Sequence, residues 1–278
     1  MAYKSVMTVW DGRDESRAAL DMAVALVRAE SGHLSILCLG IDRIQPGLYY
    51  AGATPAIMTE NIELARDEAK ASEASVHAIL DGSDINWSCR AMVTQISGIS
   101  HVVGQMARFN DLVVLAQPYG GNTGEEAATV LESAMFQGHA PVLVCPPAGG
   151  KIDGKRIVIA WNQSAEAMAA VKAALPLIRK ADAVNIAIID PGAHDEGQAD
   201  PGAELSTMLA RHGAKVTVSV LAKTVPRIAE VLQRHVSDTD SDLLVMGAYG
   251  HSRFRESIIG GATRDMLEDV TVPVLMAH

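Results

Sequence analysis

The segment GAYGHSRFRESIIGGATRDML, Gly247 to Leu267, concentrates residues able to do chemistry. Gly247, Gly250, Gly260 and Gly261 recur within fifteen positions, with His251, Arg253 and Arg255 between them. Glycine is costly to order, so such a cluster implies a sharp turn or a close approach of backbone to something else. Gly260 and Gly261 precede ATRDMLED, a helix candidate. A helix start offers unpaired N–H groups and a partial positive charge, and anions bind there. Thr263 adds a hydroxyl in the same turn. The arginines add planar forks of donors that match phosphate. The combination reads as a phosphate cradle. The other reading is that the glycines only shape a connection between strand and helix. Neither a P-loop lysine nor a GxGxxG fingerprint is present.

The elements that must position this segment follow from a duplication. SVMTVWDGRDESRAALDMAVALV at Ser5 resembles RIVIAWNQSAEAMAAVKAALPLI at Arg156. NDLVVLAQ, ending at Gln117, matches SDLLVMGA, ending at Ala248, and APVLVCP at Ala140 matches VPVLMAH at Val272. The three pairs keep their order. PPAGGKIDG, 146–154, is a turn-rich joint with no apolar period, so domains are expected at 1–146 and 155–278, with 147–154 as linker. IDRIQPGLYYAGATPAIMTE, after the second strand, reads as a loop.

In the second half, strands are expected at Arg156–Trp161, Val184–Ile189, Lys215–Val220, Asp242–Met246 and Val272–Met276. Short apolar runs of this kind suit parallel strands buried on both faces. Between them, Met168, Val171, Leu175 and Ile178 mark one helical face, with Ser164 as N-cap. Pro226 is expected in the first turn of a later helix, and His212 and Gly213 at a helix end. The alternation predicts an α/β fold of two Rossmann-like domains, each an open five-stranded parallel sheet with helices on both faces. Ligands then belong at the carboxyl ends of the strands, where the glycine segment begins.

The spacing Gly247-x2-Gly250-x9-Gly260, set between DLLVMG and VPVLM, resembles the nucleotide loop of the universal stress protein family. The repeat makes the chain similar to a tandem member. The resemblance implies an adenine nucleotide (ATP, ADP or AMP, the first accompanied by Mg²⁺), with base and ribose near Ala160, Trp161, Asn162, Ile188 and Met246. It places the phosphates near Gly247, Gly250, Arg253, Gly260, Gly261, Ala262 and Thr263. It also implies pairing of the two domains through their last strands, with a further homodimer left open. Two positions depart from the family pattern. Gly261 stands where a Ser or Thr is usual, and Asn162 where the first strand ends in Asp. An amide can still hydrogen-bond but brings no charge. Losing one such bond costs about 0.5–1.5 kcal/mol.

The first half inverts the pattern. Asp11 is present, but QPYGGNTGEEAATVLESAMF lacks the glycine spacing, and Glu125 and Glu126 would repel phosphate. Gly120, Gly121 and Gly124 read as a turn. One nucleotide per chain is expected, in the second half.

The rest of the chain narrows the function classes. Its 278 residues carry a formal charge of -10, which disfavours a nucleic-acid face. No apolar run approaches the roughly 18 residues that span a bilayer. The start carries charge too early for a secretory leader, and a cytoplasmic location is expected. Cys38, Cys89 and Cys145 show no metal spacing and read as buried hydrophobes. DPGAHDEGQADPG, from Asp190, reads as a solvated acidic loop, with a metal as the other reading. His101, His139, His235 and His278 have no evident partners. No set of nucleophile, base and orienting residue is assembled, so at most slow ATP hydrolysis is expected. Three readings stay open: a nucleotide-binding regulator with a protein partner, a nucleotide-free interaction and dimerisation module, and a slow enzyme.

Overall fold

The computed structural model describes residues 3–43, 55–120, 124–150, 152–190, 201–250 and 261–278, with backbone alone at 55–58. Two compact units emerge. The first comprises Tyr3–Ala116 and Asn122–Ala140, and the second Gln117–Gly121 and Pro141–His278.

In the first unit, β1 (Ser5–Trp10), β2 (His33–Asp42), β3 (Asn86–Gln95) and β4 (Leu112–Ala116) lie in the order β3-β2-β1-β4, all parallel. The helices α1 (Asp14–Glu30), α2 (Pro55–Leu80), α3 (Ile99–Ala107) and α4 (Ala127–Phe136) connect and cover them. Val6, Met7, Leu34, Ile36, Leu37, Val113 and Val114 form a core almost without exposure. The sequence reads 41–60 as loop, yet Pro55–Glu60 open α2. Proline is tolerated in a first turn, where its missing N–H has no partner to lose.

In the second unit, β6 (Arg156–Ala160), β7 (Ala183–Ile189), β8 (Val216–Leu221), β9 (Leu243–Gly247) and β10 (Val274–Ala277) form a parallel run in the order β10-β9-β6-β7-β8. A sixth strand, β5 (Val142–Cys145), joins antiparallel to β10, with Val144 opposite Val274. The compact division therefore falls at Pro141, ahead of the linker that composition marks at 147–154. Segment 117–121 belongs to this unit for a local reason. The Gln117 carboxamide donates to the Glu268 carbonyl at 3.0 Å and accepts from the Val270 N–H at 2.9 Å.

The helices of this unit are α5 (Ala165–Ile178), α6 (Ala203–Arg211), α7 (Ile228–Asp238) and α8 (Ala262–Glu268). Ser164 caps α5, accepting from the Ala167 N–H at 3.1 Å. The buried stripe of α5 runs through Ala167, Ala170, Val171, Ala174 and Ile178, while Met168 and Leu175 flank it half-buried. Small alanines let the helix lie close to the sheet, which moves the stripe from the position that apolar size alone indicates. Pro226 stands just outside α7, whose N-cap is Arg227. His212 is the C-cap of α6, and Gly213 follows at φ 88°, a left-handed position that suits glycine. β3 and β8 alternate between half-buried and exposed residues, with Val220 62% exposed. They end the strand orders of their units, so the reading of β8 as buried on both faces does not hold.

The duplicated Asp before the fourth strand has one job in both repeats. Asp111 Oδ2 accepts from the N–H groups of Lys4 and Ser5 at 2.8 and 2.9 Å. Asp242 accepts from Lys155 through Oδ2 and from Arg156 through Oδ1, at 2.9 and 3.0 Å. Each carboxylate fastens the first strand of its repeat to the fourth. Asp111→Ala and Asp242→Ala should each cost about 1–3 kcal/mol in denaturant titrations, the range for stranding partners of a charged acceptor. Asparagine discriminates between them. One oxygen holds both donors of Asp111, so Asp111→Asn keeps most of the stability, whereas Asp242→Asn loses one of its two bonds.

Candidate functional site

Parallel register brings the predicted residues of the second repeat to one edge. Ala160, the end of β6, stands opposite Met246 of β9 and Ala187 of β7. Ile188 follows at the end of β7. Met246, Ile188 and Trp161 are buried at 6%, 4% and 9% exposure and form an apolar floor. Trp161 is fixed at both ends. Its backbone N–H donates to the Ala187 carbonyl and its indole N–H to the Pro201 carbonyl, each at 2.9 Å.

Around that floor the polar groups are already in use. Asn162 Oδ1 accepts from the Ser164 N–H at 3.1 Å, forming the turn that leads into α5. Asp11 does the same in the first repeat, accepting from the Arg13 N–H at 3.0 Å and from Ser16 Oγ at 2.6 Å. The residue that ends the first strand thus shapes a turn in both repeats. Thr263, 3% exposed, accepts from the Tyr249 N–H at 3.1 Å. It ties the turn after β9 to α8. Gly261 is the N-cap of α8 and contributes no side-chain cap, and Ala262 is the first helical residue.

The glycines divide by role. A Cβ on Gly247 would meet the Ala167 nitrogen at 2.5 Å and the Glu166 carbonyl carbon at 2.7 Å. That glycine lets α5 approach β9 and is explained by packing. A Cβ on Gly250 would meet only the Glu166 carboxylate, Oε2 at 3.5 Å, which is ordinary contact. Packing against the described residues therefore does not account for a glycine at 250. Arg253 and Gly260, with His251 and Arg255, lie outside the described residues.

Glu166 is the polar residue at this edge that sequence reasoning missed. It lies in the first turn of α5. Its position two residues after a capping serine gives it the look of an ordinary helix-start acid. Only the fold carries its carboxylate to Gly250.

Other candidates resolve as structural. Asp190, at φ 40°, accepts from the Lys223 N–H at 3.1 Å, and residues 191–200 lie outside the described set. His235 Nε2 bonds Asn185 Oδ1 at 2.8 Å, and burial lowers its pKa. His278 Nδ1 bonds the Ala248 carbonyl at 3.0 Å. Both histidines have partners that the sequence does not reveal. Cys38 and Cys145 are buried, Cys89 is half-buried, and all three thiols are free. Cys38 lies 3.4 Å from Cys89, sulfur to sulfur. The hydrogen bond to Cys89 and burial raise the Cys38 pKa above the ordinary thiol value. Among the described residues, no group of three or more His, Cys, Asp or Glu is arranged to hold a metal ion. No described helix is long and apolar enough to cross a membrane.

A model of the universal stress protein family matches residues 154–278. The universal stress protein Slr1230 of Synechocystis is 40% identical over 68 residues, which are 24% of this chain and 23% of that protein. The chain thus matches about a quarter of that relative's length. A universal stress protein structure from Archaeoglobus fulgidus aligns at a TM-score of 0.71 and 13% identity, over 99% of this chain and 96% of that one. A functionally unknown protein, PA1789 of Pseudomonas aeruginosa, aligns at 0.59 and 16% identity, over 99% and 92% of the two chains. At these identities the structural likenesses concern the fold alone.

Proposed function

Residues 154–278 belong to the universal stress protein family, and from that premise we propose that the second unit binds an adenine nucleotide and acts as a regulator. A protein partner reads whether the site is filled. The observation that carries this reading is the convergence of Ala160, Ile188 and Met246 at the strand ends, directly before the Gly247-x2-Gly250-x9-Gly260 spacing. The apolar floor suits a flat base. Asn162 borders it with an amide in place of a charge. Glycine at 250 leaves room for a phosphate beside the backbone, and Arg253, Gly260, Gly261, Ala262 and Thr263 complete the proposed phosphate side. The Glu166 carboxylate beside Gly250 is an oxygen ligand of the kind that holds Mg²⁺ together with phosphates. Nothing in this assignment requires a chemical step, and any hydrolysis of ATP is slow.

A second reading is supported by two bonds. Asn162 Oδ1 and Thr263 Oγ1 already accept N–H groups from within the protein. On this reading the unit is a nucleotide-free interaction and dimerisation module in the cytoplasm.

Mass spectrometry of small molecules released from freshly purified, denatured protein separates the two. Adenine nucleotide at up to one per chain is the expected result. Absence of carry-over, together with no ATP, ADP or AMP binding in calorimetry at millimolar ligand, would establish the second reading instead. Asp11→Ala, in the other unit, should leave nucleotide affinity unaltered.

A further inference from the structure

The first unit holds a cavity of about 520 Å³ at the carboxyl ends of β1, β2 and β4, between α2 and α4. That volume lies within the range of small-molecule sites, about 300–1,000 Å³. Every residue lining it belongs to the first unit. Val9, Leu39, Ile41, Leu115 and Val130 give it an apolar interior. Trp10 also lines it, and its indole N–H is already satisfied by Ser75 Oγ at 2.7 Å. The ring is therefore available as apolar surface.

The charged residues of the lining decide what can enter. Arg43 sits between two carboxylates, with Nε 3.1 Å from Glu126 and Nη1 3.4 Å from Glu68. Arg13 Nε lies 3.7 Å from Asp11 Oδ2. Three carboxylates face two guanidiniums, so the lining carries a formal charge of -1 and each cation has its counter-ion. Glu126 is also the N-cap of α4, with its side chain only 13% exposed. In the second repeat the helix after the fourth strand has Gly261 at its N-cap. A carboxylate thus fills the one place in this unit where a helix start would otherwise attract an anion. A phosphate here would meet Glu126 and would have to separate Arg43 from its partners. A neutral hydroxyl group would instead find acceptors in Asp11 and Glu126.

We propose that this cavity binds an uncharged organic molecule with a flat body and hydroxyl donors, the nucleoside class, and refuses its phosphorylated form. The inference is independent of nucleotide binding in the second unit, and one experiment tests both. Trp10 and Trp161 hold corresponding positions in the two repeats, and each indole N–H gives its own ¹⁵N–¹H signal. The full chain is titrated with adenosine and with adenosine 5′-monophosphate. Adenosine should move the Trp10 signal, and the monophosphate should leave it in place. Ala127→Phe, which fills the cavity, should abolish the Trp10 response while Trp161 keeps its own signal as a check on folding. Glu126→Gln brings the formal charge to zero and should raise the affinity of the monophosphate at Trp10 by about tenfold or more. A Trp10 signal unmoved by millimolar adenosine would overturn the proposal, as would equal responses to adenosine and its monophosphate. A Trp161 signal unmoved by the monophosphate would count against the second-unit reading alone.

Discussion

Gly40→Val should unfold the first unit. Gly40 lies in β2 beneath α2, and a Cβ there would stand 1.7 Å from the Ala65 carbonyl oxygen and 2.7 Å from its carbon. Ala69 Cβ would be 3.1 Å away. The first two are backbone atoms, so no rotamer change relieves the clash. The helix must leave the sheet, and with it go the buried Ala65, Ala69 and Val76. Overpacking with side chains alone costs about 1–3 kcal/mol, and displacing a helix backbone lies beyond that range. The expected result is loss of the cooperative urea transition followed at Trp10, whose indole N–H depends on Ser75 of the same helix. Gly40→Ala carries the same Cβ and should fail in the same way. A Gly40→Ala protein with an unchanged transition would show that α2 packs elsewhere.

Gly250→Val should have the opposite profile: folding intact and nucleotide binding lost. The new Cβ would touch only the Glu166 carboxylate at an ordinary 3.5 Å. Gly250 is exposed and does not have the positive φ that would strain an L-residue. Melting should therefore be unchanged. A branched side chain beside the backbone would occupy the space proposed for phosphate. Calorimetry should show ATP affinity falling at least about tenfold, equivalent to roughly 1.4 kcal/mol. Gly260→Val, at the third glycine of the spacing, should behave alike. Equal affinity in wild type and in both variants would remove the phosphate side from this segment. Gly247→Val is the contrasting control. Its Cβ would strike the backbone of α5 at 2.5 Å, so it should lose stability as well as binding.

These variants show that one glycine motif contains two kinds of glycine. The spacing marks Gly247 and Gly250 alike. Their difference lies in what stands opposite them, and that neighbour is α5, some eighty positions earlier in the chain. For Gly247 the absent side chain admits a helix. For Gly250 it leaves space that no described residue fills.

What the sequence by itself determined is whatever depends on neighbours along the chain. Apolar runs and helical periods marked β6, β7, β9 and β10 to within a few residues. Ser164 declared its cap because capping is a bond to a residue three positions on. The repeated pairs disclosed the duplication, and with it the shared role of Asp111 and Asp242. Tertiary structure decided whatever depends on residues distant in the chain. Only folding sets Arg43 between Glu68 and Glu126. Those pairings turn a segment read as merely hostile to phosphate into the wall of a cavity. Only pairing across the sheet assigns β5 to β10 and moves the compact boundary to Pro141. Charge and hydrogen-bonding capacity are properties of single residues, but whether they are spent inside the protein or left for a ligand is fixed by the partners that the fold brings within reach.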